Sequence, residues 1–169
     1  LQLDRIRDMG FEAIWLMPIH PIGELHRKGT MGSPYAIKDY YTIDPAYGTE
    51  EDFRELVRAA HTAGLKVLND IVFHHTAWDS VLMQEHPEWF YHKADGSIGN
   101  KVGDWSDIAD LDFSNAGLRE YLMGALAYLA EFGIDGFRCD VAPLVPIDFW
   151  VQSREYLEER GFDLIWLSE

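Results

Sequence analysis

Thr49-Glu50-Glu51-Asp52-Phe53 leads, by way of Leu56, Val57 and Ala60, into Gly64-Leu65-Lys66-Val67-Leu68-Asn69-Asp70-Ile71-Val72. The first part has the marks of a helix: Thr49 can cap it, the three acids of the first turn suit the helix dipole, and the apolar residues fall on one face. Gly64 ends that helix and the apolar run beyond it predicts a strand. The same unit of amphipathic segment, glycine and apolar run recurs at Gly10 to Met17, at Gly133 to Asp140 and at Gly161 to Glu169. In the third unit Ser114 is the expected cap, with Leu118, Leu122, Leu126 and Leu129 at helical spacing; in the fourth, Pro146 precedes a helix carrying Phe149, Tyr156 and Leu157. Strands that follow helices and lack strict alternation predict a parallel sheet buried on both faces, an α/β fold. Two long connections, Pro18 to Gly48 and His74 to Ser114, follow strands, and loops at the carboxyl ends of parallel strands carry ligand sites. Residues 74–113, with Trp78, Trp89 and Trp105, read as a long loop or small subdomain inserted after a strand; those tryptophans divide between packing and binding.

The 169 residues, 47% hydrophobic and 14% aromatic, suffice for the core of one domain. A formal charge of -15 repels phosphate backbones and anionic membranes, which excludes nucleic acid and membrane surfaces as expected partners. Leu1-Gln2-Leu3-Asp4 has neither an initiator Met nor a basic leader segment, so the sequence reads as an excerpt from something longer. One cysteine, Cys139, excludes an internal disulfide and is expected to be a small buried apolar group.

Asp70, His74 and His75, then Arg138 and Asp140, then Glu169 stand at or just past the predicted strand ends. Neighbouring strands lie about 4.8 Å apart, close to the roughly 5–5.5 Å between the two carboxyl groups of a retaining glycosidase. Asp140 and Glu169 are the natural pair. Arg138, on the strand face of Asp140, is expected to hold that aspartate ionised, whereas Leu164-Ile165-Trp166-Leu167 is expected to desolvate Glu169 and keep it protonated. His74 and His75, read as adjacent strand residues, should point to opposite faces and share no metal. Trp15 and Trp166 are expected in the core. His20, His26, His61, His86 and His92 show no ligand spacing.

These residues resemble the central part of the α-amylase family, glycoside hydrolase family 13. Asp70-Ile71-Val72-Phe73-His74-His75 is similar to the family's D-x-V-x-N-H, Gly136-Phe137-Arg138-Cys139-Asp140 matches G-x-R-x-D, and Leu167-Ser168-Glu169 matches the glutamate ending the next strand. Ser33-Pro34-Tyr35 through Asp39-Tyr40 resembles a tyrosine-bearing loop and Ala109-Asp110-Leu111-Asp112 a further short region. The resemblance implies a partial TIM (β/α)8 barrel: four helix-strand units, a half barrel with long βα loops, stopping after the general-acid glutamate. It implies a retaining hydrolase of α-1,4-glucans such as starch and maltooligosaccharides. Asp140 would be nucleophile, Glu169 acid/base, Tyr35 a platform under the sugar, His75 a hydroxyl ligand and Arg138 the support of Asp140, with Asp70 holding that arginine.

The family's Asn is His74 here, and its Lys-His pair is Pro143-Leu144. In calcium-dependent members the Asn and the His supply ligands beside an aspartate corresponding to Asp110, so calcium is not expected at that position and no cofactor is implied. The third family carboxylate falls beyond Glu169. Two other readings stand beside hydrolysis: a catalytically incomplete half barrel that binds glucan or assembles with a partner half, and an unrelated barrel using the Asp, His and Glu cluster with a metal. Four strands of an eight-stranded barrel leave two open edges, which predicts a homodimer or higher homo-oligomer that completes the barrel. The resemblance favours an extracellular or periplasmic setting.

Overall fold

A computed structural model describes residues 2–169. In chain order the elements are α1 (Leu3–Asp8), β1 (Ala13–Leu16), α2 (Glu50–Thr62), β2 (Lys66–Ile71), β3 (His75–Ala77), α3 (Val81–Glu85) and β4 (Ile108–Asp110). They continue with α4 (Ala116–Ala130), β5 (Gly136–Cys139), a 3-10 turn (Ala142–Leu144), α5 (Ile147–Glu158) and β6 (Ile165–Ser168); another 3-10 turn (Pro87–Trp89) lies between α3 and β4. Four strands form one parallel sheet in the order β1-β2-β5-β6, while β3 and β4 pair antiparallel. The described residues form four helix-strand units on one parallel sheet, as the repeated pattern predicts and in keeping with the half barrel that the resemblance implies.

Local chemistry accounts for the boundaries. The Thr49 hydroxyl accepts the Asp52 N–H and the Thr49 N–H donates to Asp52 Oδ2 at 2.7 Å, a reciprocal capping box that starts α2. At its end Gly64 takes φ +80°, which frees the Leu65 N–H to bond the Ala60 carbonyl at 2.9 Å and turns the chain into β2. The α4 cap is Asn115, one residue after the expected Ser114. Its side chain is drawn to the Glu88 and Asp112 carbonyls, so it makes no cap bond to α4.

The register fixes which side chains share a face: Trp15 pairs with Leu68, Asp70 with Arg138, and Arg138 with Leu167. The opposite face carries Val67, Ile71, Phe137 and Cys139 and packs under Phe53 and Val57 of α2, the leucines of α4, and Phe149 and Leu157 of α5. Each such side chain stabilises the fold by about 1.5–3 kcal/mol through burial. The expectation of a sheet buried on both faces holds for the central strands β2 and β5 and fails at the edges. On the barrel-interior face Trp15 is 51% and Leu167 50% exposed, because among the described residues no element covers β1 and β6 there. Within 74–113, Phe90, Leu111 and Phe113 join the main core, while Ala77 and Ile108 pack with Ala36 and Trp105 in a small separate cluster. Among the described residues no helix is long and apolar enough to cross a membrane.

Candidate active site

Arg138 organises the carboxyl end of the sheet. Strand alternation turns its side chain to the open face, where register sets it directly beside Asp70 on β2. Nη1 donates to Asp70 Oδ1 and Oδ2 at 3.1 and 2.9 Å and to Asp140 Oδ1 at 2.9 Å. Nη2 meets Glu169 Oε1 at 2.6 Å. One buried guanidinium therefore carries three carboxylates, and its donor fork suits the task in a way a lysine point charge would not. Tyr35 Oη donates to Asp70 Oδ2 at 3.3 Å and Trp15 Nε1 to the same oxygen at 3.2 Å. The Arg138 guanidinium also lies 4.9 Å from the centre of the Trp15 ring.

A cleft of about 500 Å³ opens over this group, bordered by Tyr35, His75, Arg138, Asp140 and Glu169. Trp105, whose ring meets that of His75 edge to face at 5.6 Å, Asp107 and Lys28 line it as well. Lys28 Nζ bonds the Asp104 carbonyl at 2.5 Å and Asp107 Oδ1 at 3.2 Å, tying the loop after β1 to the approach to β4. A larger hollow of about 810 Å³ lies beside Leu144, Ile147, Trp150 and Trp166; its wall is mainly apolar and the carboxylate cluster is outside it. Of the residues singled out in the sequence, Tyr35, His75, Arg138, Asp140 and Glu169 line one cleft, with Asp70 beneath them.

The electrostatics run opposite to expectation. Burial raises Asp140 to about 6, with the Asp70 charge adding to the effect, and Arg138 only partly offsets them. Glu169 lies below the ordinary glutamate value, first because the Val141 N–H donates to its Oε2 at 3.1 Å and further because Arg138 faces it. The apolar run before Glu169 does not desolvate it: that run lies on the open edge strand, and the Glu169 side chain is 51% exposed. Burial, then His74, lowers His75 to about 4, so its ring is neutral at pH 7.

Further corrections concern the histidines and Trp15. His74 and His75 do not point apart: His74 precedes β3, alternation does not govern it, and the two Nδ1 atoms stand 3.1 Å apart. Trp15 leaves the core because β1 is an edge whose inner face is open. Its two-residue offset from the register partner of Asp70 is the signal that could have placed it over the site. Trp166 packs against the core as expected, and Cys139 is buried, its thiol pushed up to about 12 chiefly by desolvation. Val141 and Lys28 carried no sequence signal that marked them.

Asp110, His74 and Leu144 stand at the positions that the resemblance links to calcium. Asp110 Oδ1 is buried without a hydrogen-bond partner and Oδ2 accepts the Lys101 N–H at 2.8 Å. His74 Nδ1 stands 3.7 Å from Oδ1, offering nitrogen where a hard cation takes six to eight oxygens. Leu144, on the apolar hollow, offers no ligand. Among the described residues no group of three or more His, Cys, Asp and Glu side chains gathers as a metal set.

Known proteins resemble the chain over nearly its whole length. The family model for the alpha amylase catalytic domain matches residues 1–164. The chain is 34% identical to the alpha-1,4-glucan:maltose-1-phosphate maltosyltransferase of Salinibacter ruber and 37% identical to that of Rhodospirillum rubrum. Each match covers 99% of this chain but only 29% and 27% of those proteins. Among solved structures, an alpha-amylase from Lactobacillus plantarum superposes with a TM-score of 0.95 at 55% identity. A maltogenic alpha-amylase from Thermotoga neapolitana superposes with 0.91 at 50% identity. Each covers 99% of this chain, which spans 40% and 39% of their lengths. With its half barrel, its carboxylate cluster and this match over nearly all its residues, the chain belongs to the alpha-amylase catalytic-domain family.

Proposed function

We propose that this site cleaves α-1,4-glucosidic bonds of starch-type glucans and maltooligosaccharides with retention. Members of the family are glycoside hydrolases or transferases. The observation that carries the reading is the single guanidinium of Arg138, which draws Asp140 and Glu169 together at one cleft. Asp140 attacks the anomeric carbon as the glucosidic C–O bond breaks, and the leaving oxygen takes a proton from Glu169. Glu169 then deprotonates a water that displaces Asp140 from the sugar. Tyr35 lies under the ring and the neutral His75 bonds a hydroxyl. In the free chain Asp140 is the more readily protonated of the two acids, the reverse of what this step needs. A sugar over Glu169 removes the water that stabilises its anion, and the shared arginine keeps both acids within reach of one proton.

Intact mass after exposure to a fluorinated glucosyl fluoride, with peptide mapping, tests the assignment. A covalent glycosyl adduct on Asp140, and at least about a thousandfold loss of reducing-sugar release from maltoheptaose in Asp140→Asn, are expected. Equal activity of parent and variant would remove Asp140 as nucleophile.

The names of the curated relatives favour a second reading, transfer from a phosphorylated maltose donor. Against it, the cleft is lined by the carboxylates of Asp107, Asp140 and Glu169, with Asp70 beneath them, against the cations of Lys28 and Arg138, a balance that repels phosphate. Release of inorganic phosphate from maltose 1-phosphate in preference to cleavage of maltoheptaose would establish the transferase.

We further propose that a second copy can complete the barrel: among the described residues nothing pairs with the outer side of β1 or β6, and the chain spans 40% of the solved structure it matches. A half barrel that binds glucan without turning it over is the reading left if no adduct forms.

A further inference from the structure

Val141 follows Asp140 directly and holds φ 38°, ψ 45°, the left-handed region. For a β-branched side chain this conformation is costly and persists only where neighbours impose it. Here they do. The Asp140 N–H is tied to the Ile71 carbonyl at 3.0 Å, the Leu144 N–H to the Val141 carbonyl at 2.8 Å, and Trp150 Nε1–H to the Ala142 carbonyl at 3.1 Å.

The consequence lies in the ladder between β5 and β6. Ile165 N–H donates to the Asp135 carbonyl and, four residues on in both strands, Glu169 N–H donates to the Cys139 carbonyl at 3.1 Å. In a parallel ladder the next rung would take the Val141 N–H to the main-chain carbonyl of Glu169. The left-handed turn breaks that rung, and the Val141 N–H goes instead to the side chain, Oε2 of Glu169, at 3.1 Å. With Oε1 on Arg138 Nη2, both carboxylate oxygens are engaged from β5 or the turn that leaves it.

We propose that Val141 is a positioning residue for Glu169: its left-handed backbone turns the N–H that would extend the sheet onto the Glu169 carboxylate and fixes that carboxylate beside Asp140. This inference rests on the reading of Asp140 and Glu169 as the reacting pair. Peptide geometry, and not the isopropyl group, does the work, so any residue that accepts the left-handed region while keeping its N–H should substitute.

Cys139 makes the test practical, because a synthetic segment starting there contains both Val141 and Glu169 and can be ligated to the rest of the chain. Replacing Val141 by its α-hydroxy acid removes the N–H and keeps the side chain. With 13C in the Glu169 side-chain carboxyl, nuclear magnetic resonance follows its titration in the folded chain. The ester is expected to titrate at higher pH than the parent, while Val141→Asn, which tolerates the left-handed region, stays with the parent. An ester that titrates like the parent, or an Asn variant displaced as far as the ester, would overturn the proposal. If the ester chain loses its fold, amide exchange decides: in Glu169→Ala the Val141 N–H should exchange roughly tenfold faster, and unchanged exchange would overturn the proposal. Neither readout needs turnover. Failure to trap a glycosyl adduct on Asp140 would sink the hydrolase reading and leave these results standing, and the reverse holds equally.

Discussion

Arg138, Asp70, Asp140 and Glu169 were legible in the sequence as strand-end polar groups inside a spaced pattern; their protonation was not. Which carboxylate loses its water depends on what covers each face of the sheet, and a linear string of apolar residues cannot say that. Asp140 lies deep between Arg138 and Asp70 and titrates at about 6 in place of 3.8, while Glu169 stays wet on the edge strand. The linkage has a definite sign. Between those two values the folded chain keeps a proton that the unfolded chain has released, so Asp140 stabilises the fold below pH 3.8 and that contribution is lost as the pH rises through 6. His75 acts in the other direction: lowered from 6.5 to about 4, its neutral buried ring contributes stability present above pH 6.5 and lost as the pH falls through 4. In the parent the two slopes oppose each other over much of this range. Asp140→Asn removes one of them, so its unfolding free energy should fall more steeply than the parent's on acidification from neutral pH toward 4, by up to about 3 kcal/mol. Urea unfolding across that range is the measurement, and parallel curves would contradict the raised Asp140. Trp15 and Val141 were hidden for different reasons. An apolar run around Trp15 looks the same whether its strand is central or at an edge, and a left-handed valine obeys no sequence preference at all.

At the scale of elements the helix-glycine-strand unit was the readable quantity, because a capping box, an amphipathic stripe and a terminal glycine act within a few residues of one another. The three-residue strands β3 and β4 lie beyond such reading, since their pairing is set by contacts across the long loop that separates them. Gly136 shows how an element boundary reaches the site. It opens β5 opposite Ile165, and a Cβ placed there would collide with the Ile165 carbonyl oxygen and lie 2.8 Å from the Ile165 Cβ. Backbone cannot rotate aside as a side-chain end can, so the added methyl must push β6 away from β5. Gly136→Ala is therefore expected to destabilise the chain by about 1–3 kcal/mol. It should also loosen Glu169, which hangs from the far end of the same pairing through the Cys139 carbonyl and the Val141 N–H. Thermal unfolding, together with exchange of the Glu169 amide, measures both effects. A variant as stable as the parent, with unchanged exchange at Glu169, would show that the β5–β6 spacing does not govern the carboxylate.

At the largest scale the proposed pairing of two copies rests on the inner face and on the outer sides of β1 and β6, which nothing covers among the described residues of a chain that spans 40% of the solved structure it matches. A sheet of order β1-β2-β5-β6 with all strands parallel can meet a second copy about a twofold axis along the barrel, β6 of one chain beside β1 of the other at both seams. Each seam would be parallel, as the rest of the barrel is, and Trp15, Ile165 and Leu167 would exchange water for the partner's interior. Opposing this is charge: each chain carries -15, and the repulsion between two of them acts over a distance that salt shortens to about 10 Å at 0.1 M and 3 Å at 1 M. Hydrophobic closure is not weakened by salt in the same way, so association should strengthen as ionic strength rises. Light scattering at micromolar concentration is expected to report twice the chain mass of 19.4 kDa, with the dimer fraction growing from 0.05 to about 0.5 M sodium chloride. Ile165→Glu, which adds a charge to the interior face opposite Gly136 and away from the register partner of Arg138, should shift the chain toward monomer at every salt concentration. A parent that stays monomeric at high salt would remove the paired-halves assembly and leave the open edges to be covered by something other than a second copy.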